Sequence, residues 1–357
     1  MYPRVEIDAA GVLRNFGVVS AMSGAAGISV SVVTKALAGY RPLVELLVGA
    51  GAASIGEAHI HNLRQWDDLA VEKWMIRLPL VSQADLVVRY SDVSLNTEVA
   101  TIRALGRAGV AQGRTHKVVL MVETGDTREG ILVDDVARVC DQVEDIAGVE
   151  LYGLGTEFGC YSDVVPSTDK MNEFVEVVRD TQTRLGRRLV VSGGSSNVLK
   201  MLEDGLVPGE INHLRLGEAL WTGRAANYLT PLPGGSLDPF TLSAEIIEVQ
   251  EKPSMPEGPR APGEIPVAGD PRFPDLGVRK RALVAVGKQD VGVQHLVPCD
   301  PDVRVLEASS DVFVADITDC SNTYRVGDIL RFKMDYSAIL PAMVSQFVEK
   351  EIIGVAQ

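Results

Sequence analysis

The sequence predicts an α/β fold: a (β/α)8 TIM-type barrel over residues 1–230, followed by a small C-terminal β domain over 231–357. Three observations lead there. From Ile28 onward, short apolar runs alternate with longer amphipathic segments, the pattern of parallel strands separated by helices. About eight such runs precede Gly223, which suits a closed barrel better than an open doubly wound sheet. Beyond Gly223 the helical periodicity gives way to short segments rich in β-branched residues and joined by turns.

The elements follow in order. Residues 28–33 (ISVSVV) read as the first strand. They close a run of 20 uncharged residues, Asn15 to Thr34, long enough to span a bilayer. Asn15, four serines and three glycines divide that run into the end of an amphipathic helix, a glycine turn and a buried strand. Residues 43–51 (LVELLVGAG) form a helix closed by glycine. Strands follow at 53–55, 73–78 and 92–95, then a helix at 100–110, a strand at 117–123 and a helix at 134–146. Residues 150–155, 188–194 and 213–219 complete the eight strands. Seven of the 18 prolines fall within 253–274, a long loop or irregular excursion. KRALVAVG, VRVLEASS, VFVADIT and DILRFKM then read as the strands of the tail.

Composition narrows the function. A net charge of −14 argues against nucleic acid and anionic membranes as partners, but not against a local pocket for one phosphate. With 46% hydrophobic and 23% charged residues the chain is globular. Cys140, Cys160, Cys299 and Cys320 contain no CxxC pair, so neither a metal site nor a disulfide framework is expected. Reduced thiols and a start, MYPRVEID, without an apolar segment suggest a cytoplasmic location.

A barrel of this kind carries its active site at the C-terminal ends of its strands. The first strand ends in Lys35, either a solvated helix-start residue or an amine suited to Schiff-base chemistry. The seventh ends in SGGSSN (192–197), either a plain helix cap or an anion cradle built from Gly194, Ser195, Ser196 and backbone amides. The eighth carries Arg215 between leucines, and a buried arginine needs a partner or a ligand. Arg128, after the fifth strand, is similar. A lysine, a phosphate-type cradle and an arginine on one rim together suggest pyridoxal 5'-phosphate (PLP) as cofactor.

The segments 2–8, 31–39, 92–98, 117–131, 153–166, 191–197, 211–220, 280–291 and 309–318 carry a resemblance that runs nearly end to end. The chain resembles the alanine racemase superfamily, the fold type III PLP enzymes, and within it the alanine/ornithine racemase branch. The resemblance implies that Lys35 bonds to PLP. It implies that Gly194, Ser195 and Ser196 hold the phosphate, helped by Gly217 and Glu218, and that Arg215 faces the pyridine nitrogen. Asn96 and His213 complete the residues expected around the cofactor, and Arg128 supports a second catalytic group.

Departures accompany the likeness. Where the alanine racemases proper use a tyrosine of the partner subunit as second base, this chain has Lys288, with Asp290 two residues on. Met121 stands where those enzymes carry a modified lysine, and Tyr40 lies one residue beyond the place of their phosphate-contacting tyrosine. The second base therefore stays open among Lys288, Asp290, Cys160, His213 and Tyr336. The implied activity is interconversion of L- and D-amino acids by proton exchange at Cα, with ornithine, lysine, alanine or a broad set as substrate. The implied assembly is a head-to-tail homodimer. Glu157, Asp126 and Asp163, near the mouth, are candidates to receive a side-chain ammonium. The alternatives are a lyase of the D-threonine aldolase or D-serine dehydratase type, and a non-catalytic PLP-binding homeostasis protein. A metal pair that the former needs is not evident in a tail whose one histidine is His295, and the latter usually lacks a β domain.

Overall fold

The computed structural model describes residues 1–258 and 274–354. They form two compact units, residues 10–237 and residues 1–9 together with the described residues from 238 to 354. The first strand, β1 (Arg4–Asp8), belongs to the second of these.

Eight parallel strands close the first unit into a barrel: β2 (Ser29–Val33), β3 (Ser54–Glu57), β4 (Glu72–Met75), β5 (Val93–Asn96), β6 (His116–Met121), β7 (Val149–Gly155), β8 (Val190–Ser192) and β9 (His213–Leu216). They pair in sequence order, and β9 returns to β2 with Arg215 opposite Ser31. Each is the strand expected from its apolar run, with ends shifted by a few residues at most. β3, β5 and β9 are buried along their whole length, because helices cover the outside and side chains fill the inside.

The connecting helices obey their own patterning. In the helix Val133–Glu144 the buried residues Val136, Val139, Cys140 and Val143 recur every three or four positions, and Asp134 and Asp135 complement the positive end of the helix. The helix Thr168–Leu185 starts where Ser167 Oγ accepts from Lys170 N and stops at Gly186, whose φ of 66° closes it. The uncharged run divides into the helix Ala9–Ala25 and β2. Its Asn15 is fully buried: Nδ2 donates to Leu220 O (3.0 Å) and Ser236 O (2.9 Å), while Oδ1 accepts from Ser236 N (2.7 Å). Among the described residues no helix is long and apolar enough to cross a membrane.

The barrel interior mixes apolar and polar layers. Trp74 packs with Val93, Leu95, Val119 and Met121. His213 stacks on Trp74, ring centroids 4.2 Å apart, and shares hydrogen bonds with Ser31 Oγ (2.9 Å) and Ser192 Oγ (2.8 Å). His116 shares one with Ser94 Oγ (2.9 Å). Burial disfavours the charged imidazole, with Arg215 adding to the effect on His213. Their pKa values fall to about 3 for His213 and about 4 for His116.

The second unit contains β10 (Phe240–Pro253), β11 (Val278–Val284), β12 (Leu296–Pro298), β13 (Arg304–Ala308), β14 (Phe313–Asp316), β15 (Ile329–Met334) and β16 (Glu349–Ile353). Their order across the sheet is β12-β15-β10-β11-β14-β13, and β1 lies between β10 and β16. Phe313 and Phe332 meet edge to face in its core, centroids 5.4 Å apart. Two expectations about the division change. The barrel unit begins at residue 10 rather than 1, and the boundary falls after Leu237 rather than 230. The reason is that RVEID finds its ladder partners at Phe240–Ser243, antiparallel, and at Glu349–Ile353, parallel. Of the Pro-rich excursion at 253–274, residues 259–273 lie outside the described residues. Pro253 itself ends β10, opposite Val278.

The two buried histidines set a pH dependence. Both folded values lie below the ordinary imidazole value of ~6.5, so the unfolded chain takes up protons first as pH falls. Their contribution is complete above about pH 6.5 and is lost on the way toward their folded values, at about 1.4 kcal/mol per histidine per pH unit. Denaturant titrations at pH 7 and pH 5 are expected to show a clear loss. His213→Asn is expected to flatten that slope.

Candidate active site

All eight strands run the same way, so their C-terminal ends share one rim. At the end of β2, buried Thr34 donates its hydroxyl to Gly56 O (3.2 Å) and Glu57 Oε2 (3.2 Å). Lys35 follows in a short 3-10 turn, half-buried at the rim. Gly39, at φ 82°, lets the chain pass Asn62: a Cβ there would lie 2.7 Å from Asn62 Oδ1. Glu57 is a buried carboxylate that the sequence reading missed. Burial raises its pKa, while donation from Ala58 N (2.7 Å), His59 N (3.2 Å) and Thr34 opposes the rise. The available signal was an acid ending an otherwise apolar strand, SIGE.

The loops after β8 and β9 form the oxygen-binding cradle. Ser196 Oγ accepts from Gly217 N and from Ala219 N, both at 3.2 Å, so these amides converge on one oxygen atom. A Cβ on Gly217 would come within 2.8 Å of Val33 O, and one on Gly194, at φ 124°, within 2.7 Å of Val198 Cγ2. Both glycines are therefore required by close packing of the loops. Glu218 begins the helix Glu218–Thr222 directly beside these amides. Two converging amides, two serine hydroxyls and a nearby lysine fit a phosphorylated aldehyde such as PLP.

Arg215 is only 4% exposed and Glu157 only 9%. Arg215 Nη2 donates to Thr156 O (2.7 Å) and Glu157 Oε2 (3.0 Å), and Nη1 donates to Ser192 Oγ (2.5 Å). Glu157 Oε1 accepts from Ser195 Oγ (2.8 Å), Phe158 N (3.1 Å) and Asn197 Nδ2 (3.4 Å). Glu157 thus bridges the arginine and the 195–197 loop. With both carboxylate oxygens occupied it is not a receptor for a substrate ammonium, which corrects that expectation. Asn197, whose amide is one of the donors to this carboxylate, was also missed.

The loop after β6 folds tightly on itself. Glu123 N donates to Ile131 O (3.0 Å), and Glu123 Oε1 accepts from Gly125 N (2.5 Å) and Thr127 N (3.1 Å). Its tip carries Asp126 and Arg128. Arg128 pairs with Glu129. Desolvation and then the Glu157 charge raise the Cys160 pKa, while Lys35 and Arg128 pull it down. Lys35, Arg128, Cys160 and Glu157 therefore share one electrostatic neighbourhood. Asp126 Oδ1 accepts from Tyr161 N (3.1 Å), Ser162 N (3.0 Å) and Ser162 Oγ (2.8 Å), latching the loop that bears Cys160.

Other expected residues lie elsewhere. His213 is a correction: both ring nitrogens are engaged by serines inside the barrel and the ring stacks on Trp74, so it is neither a cofactor contact nor a base. Asn96 does end β5, with Nδ2 donating to Ser94 O (2.9 Å) and Ser94 Oγ (2.8 Å). Met121 is packed in the apolar layer under the rim, and Asp163 is exposed, at φ 56°. Lys288, Asp290 and Tyr336 belong to the β unit. There Lys288 pairs with Glu307 (2.9 Å), Asp290 accepts from Ser345 Oγ (2.7 Å), and Tyr336 opens the helix Tyr336–Val344.

The bridge gives a direct prediction. Glu157→Ala leaves Arg215 buried without its carboxylate and is expected to cost about 3–5 kcal/mol of stability in denaturant unfolding. Glu157→Gln, which keeps a hydrogen-bonding partner in place, is expected to lose clearly less.

The profile described as alanine racemase, N-terminal domain, matches residues 7–225. The ornithine racemase of Acetoanaerobium sticklandii is 32% identical, over 99% of this chain and 100% of its own length. The lysine racemase of Thermotoga maritima is 34% identical, over 98% of each chain. Among solved structures, the alanine racemase of the D-cycloserine producer Streptomyces lavendulae superposes with a TM-score of 0.76 at 17% identity, covering 100% of this chain and 98% of that one. The alanine racemase of Bartonella henselae, with covalently bound pyridoxal phosphate, superposes at 0.73 and 14% identity, covering 98% and 99%. Likeness at these identities shows the fold, and the full-length relatives and the profile show the rest: the chain belongs to the alanine racemase family.

Proposed function

We propose that this chain is an amino-acid racemase that carries PLP on Lys35. The observation that carries the reading is the rim itself: a lysine just after β2, two amides converging on Ser196 Oγ in the loop after β8, and a buried Arg215 held by Glu157. The full-length likeness to an ornithine racemase and a lysine racemase supports it.

PLP, when bound, makes the Cα–H of an amino acid acidic. The residues supply the rest. Ser195, Ser196 and the amides of Gly217 and Ala219 hold the phosphate. The Arg215 guanidinium can only donate hydrogen bonds, so facing the ring nitrogen it would favour the unprotonated form and limit side reactions. Lys35 Nζ moves the proton on one face of Cα. The opposite face needs a second group, and the reading places it among Lys288, Asp290 and Tyr336 of the partner subunit in a head-to-tail dimer, or at Cys160. With its pKa raised, the Cys160 thiol is a proton donor rather than a base near neutrality. The reading also places the enzyme in the cytoplasm.

Incubating the PLP-loaded protein with a panel of L-amino acids and separating the products by chiral chromatography tests the reading. The D-enantiomer, with no other product, is expected. Glycine and an aldehyde would assign a lyase instead, and no change would mean binding alone. Lys35→Ala is expected to lower the rate by about 10³-fold or more and to abolish the visible absorbance of the lysine-bound cofactor.

A further inference from the structure

Asp126 is 3% exposed, and only one of its oxygens is in use. Oδ1 receives the three donors of Tyr161 and Ser162. Oδ2 is buried and has no hydrogen-bond partner among the described residues. No lysine or arginine there forms an ion pair with this carboxylate: the nearby Arg128 pairs with Glu129. The group is nonetheless ionised. Burial alone would raise its pKa, but the Ser162 and Tyr161 donors and the Arg128 charge outweigh it and hold the carboxyl below its usual range. A buried carboxylate oxygen with neither donor nor cation is costly unless a cation is brought to it.

Its position says which cation. Asp126 sits in the loop after β6, on the rim that carries Lys35, and it latches the residues directly following Cys160, whose thiol feels the Lys35 charge. At the end of the neighbouring strand β5, Asn96 Oδ1 is a second buried acceptor without a partner among the described residues. Of the three acids expected near the mouth, Glu157 is committed to Arg215 and Asp163 is exposed. We infer that Asp126 Oδ2 receives the distal ammonium of a diamino-acid substrate, one with a basic side chain of the ornithine or lysine kind. This rests on the racemase reading, and it assigns Asp126 as the residue that sets side-chain specificity.

The test compares L-ornithine with L-norvaline, which has the same carbon chain but no distal ammonium, on the PLP-loaded protein. Racemisation is expected with a KM for ornithine about 10- to 100-fold below that for norvaline, the scale of a charge-assisted hydrogen bond. Asp126→Asn keeps an Oδ1 acceptor for the Tyr161 and Ser162 amides, and it is expected to collapse that ratio toward one, chiefly through KM. Equal KM values in the wild type, or a ratio that survives in Asp126→Asn, would overturn the assignment. The wild-type comparison stands even if the variant folds poorly. Thermal stabilisation by each amino acid, read on the same proteins, separates the two readings. Selective stabilisation by ornithine, lost in Asp126→Asn, upholds the subsite even if nothing is racemised. Racemisation of both amino acids with no preference in either readout refutes the subsite and leaves the racemase reading intact.

Discussion

The buried pair Arg215–Glu157 is the interaction on which the site depends. A guanidinium and a carboxylate this far from water are tolerated only when every polar atom has a partner. Here the partners come from three strand ends: Thr156 and Glu157 after β7, Ser192 at the end of β8, and Arg215 on β9. The pair fixes the spacing of those ends, and through Glu157 Oε1 it also fixes the turn at Ser195–Asn197. A cation for a ring nitrogen and a loop for a phosphate are thereby held by one carboxylate.

The layer beneath explains why that rim is rigid. His213 precedes Arg215 by two residues on β9, faces the same interior and ties Ser31 of β2 to Ser192 of β8. Ser192 Oγ meets both His213 and Arg215, so the neutral core histidine and the charged rim arginine are parts of one polar column. The glycines complete it. Gly217 brings β9 against the backbone of Val33 at the end of β2, two residues before Lys35. The lysine and the cradle are close because no side chain separates the two strands. Beside these satisfied groups, Asp126 Oδ2 and Asn96 Oδ1 are buried acceptors that have no partner among the described residues.

Local pattern determined much of this protein. The eight barrel strands and the helices between them follow from apolar runs and their periodicity, which are properties of neighbours in sequence. The placement of Lys35, Ser196, Gly217 and Arg215 at or just beyond strand ends was legible because strand ends are legible, and in a barrel every strand end meets the same rim. Tertiary structure alone decided the rest, because the deciding contacts join residues far apart in the chain. RVEID has the alternation of a strand, but only its partners at Phe240–Ser243 and Glu349–Ile353 assign it to the β unit. His213 reads equally well as ligand or core until Trp74 and two serines surround it. Glu157, Asp126 and Asp163 look alike as acids near a mouth. What separates them is which oxygen finds a donor across the barrel, and that is a property of the closed fold rather than of any segment.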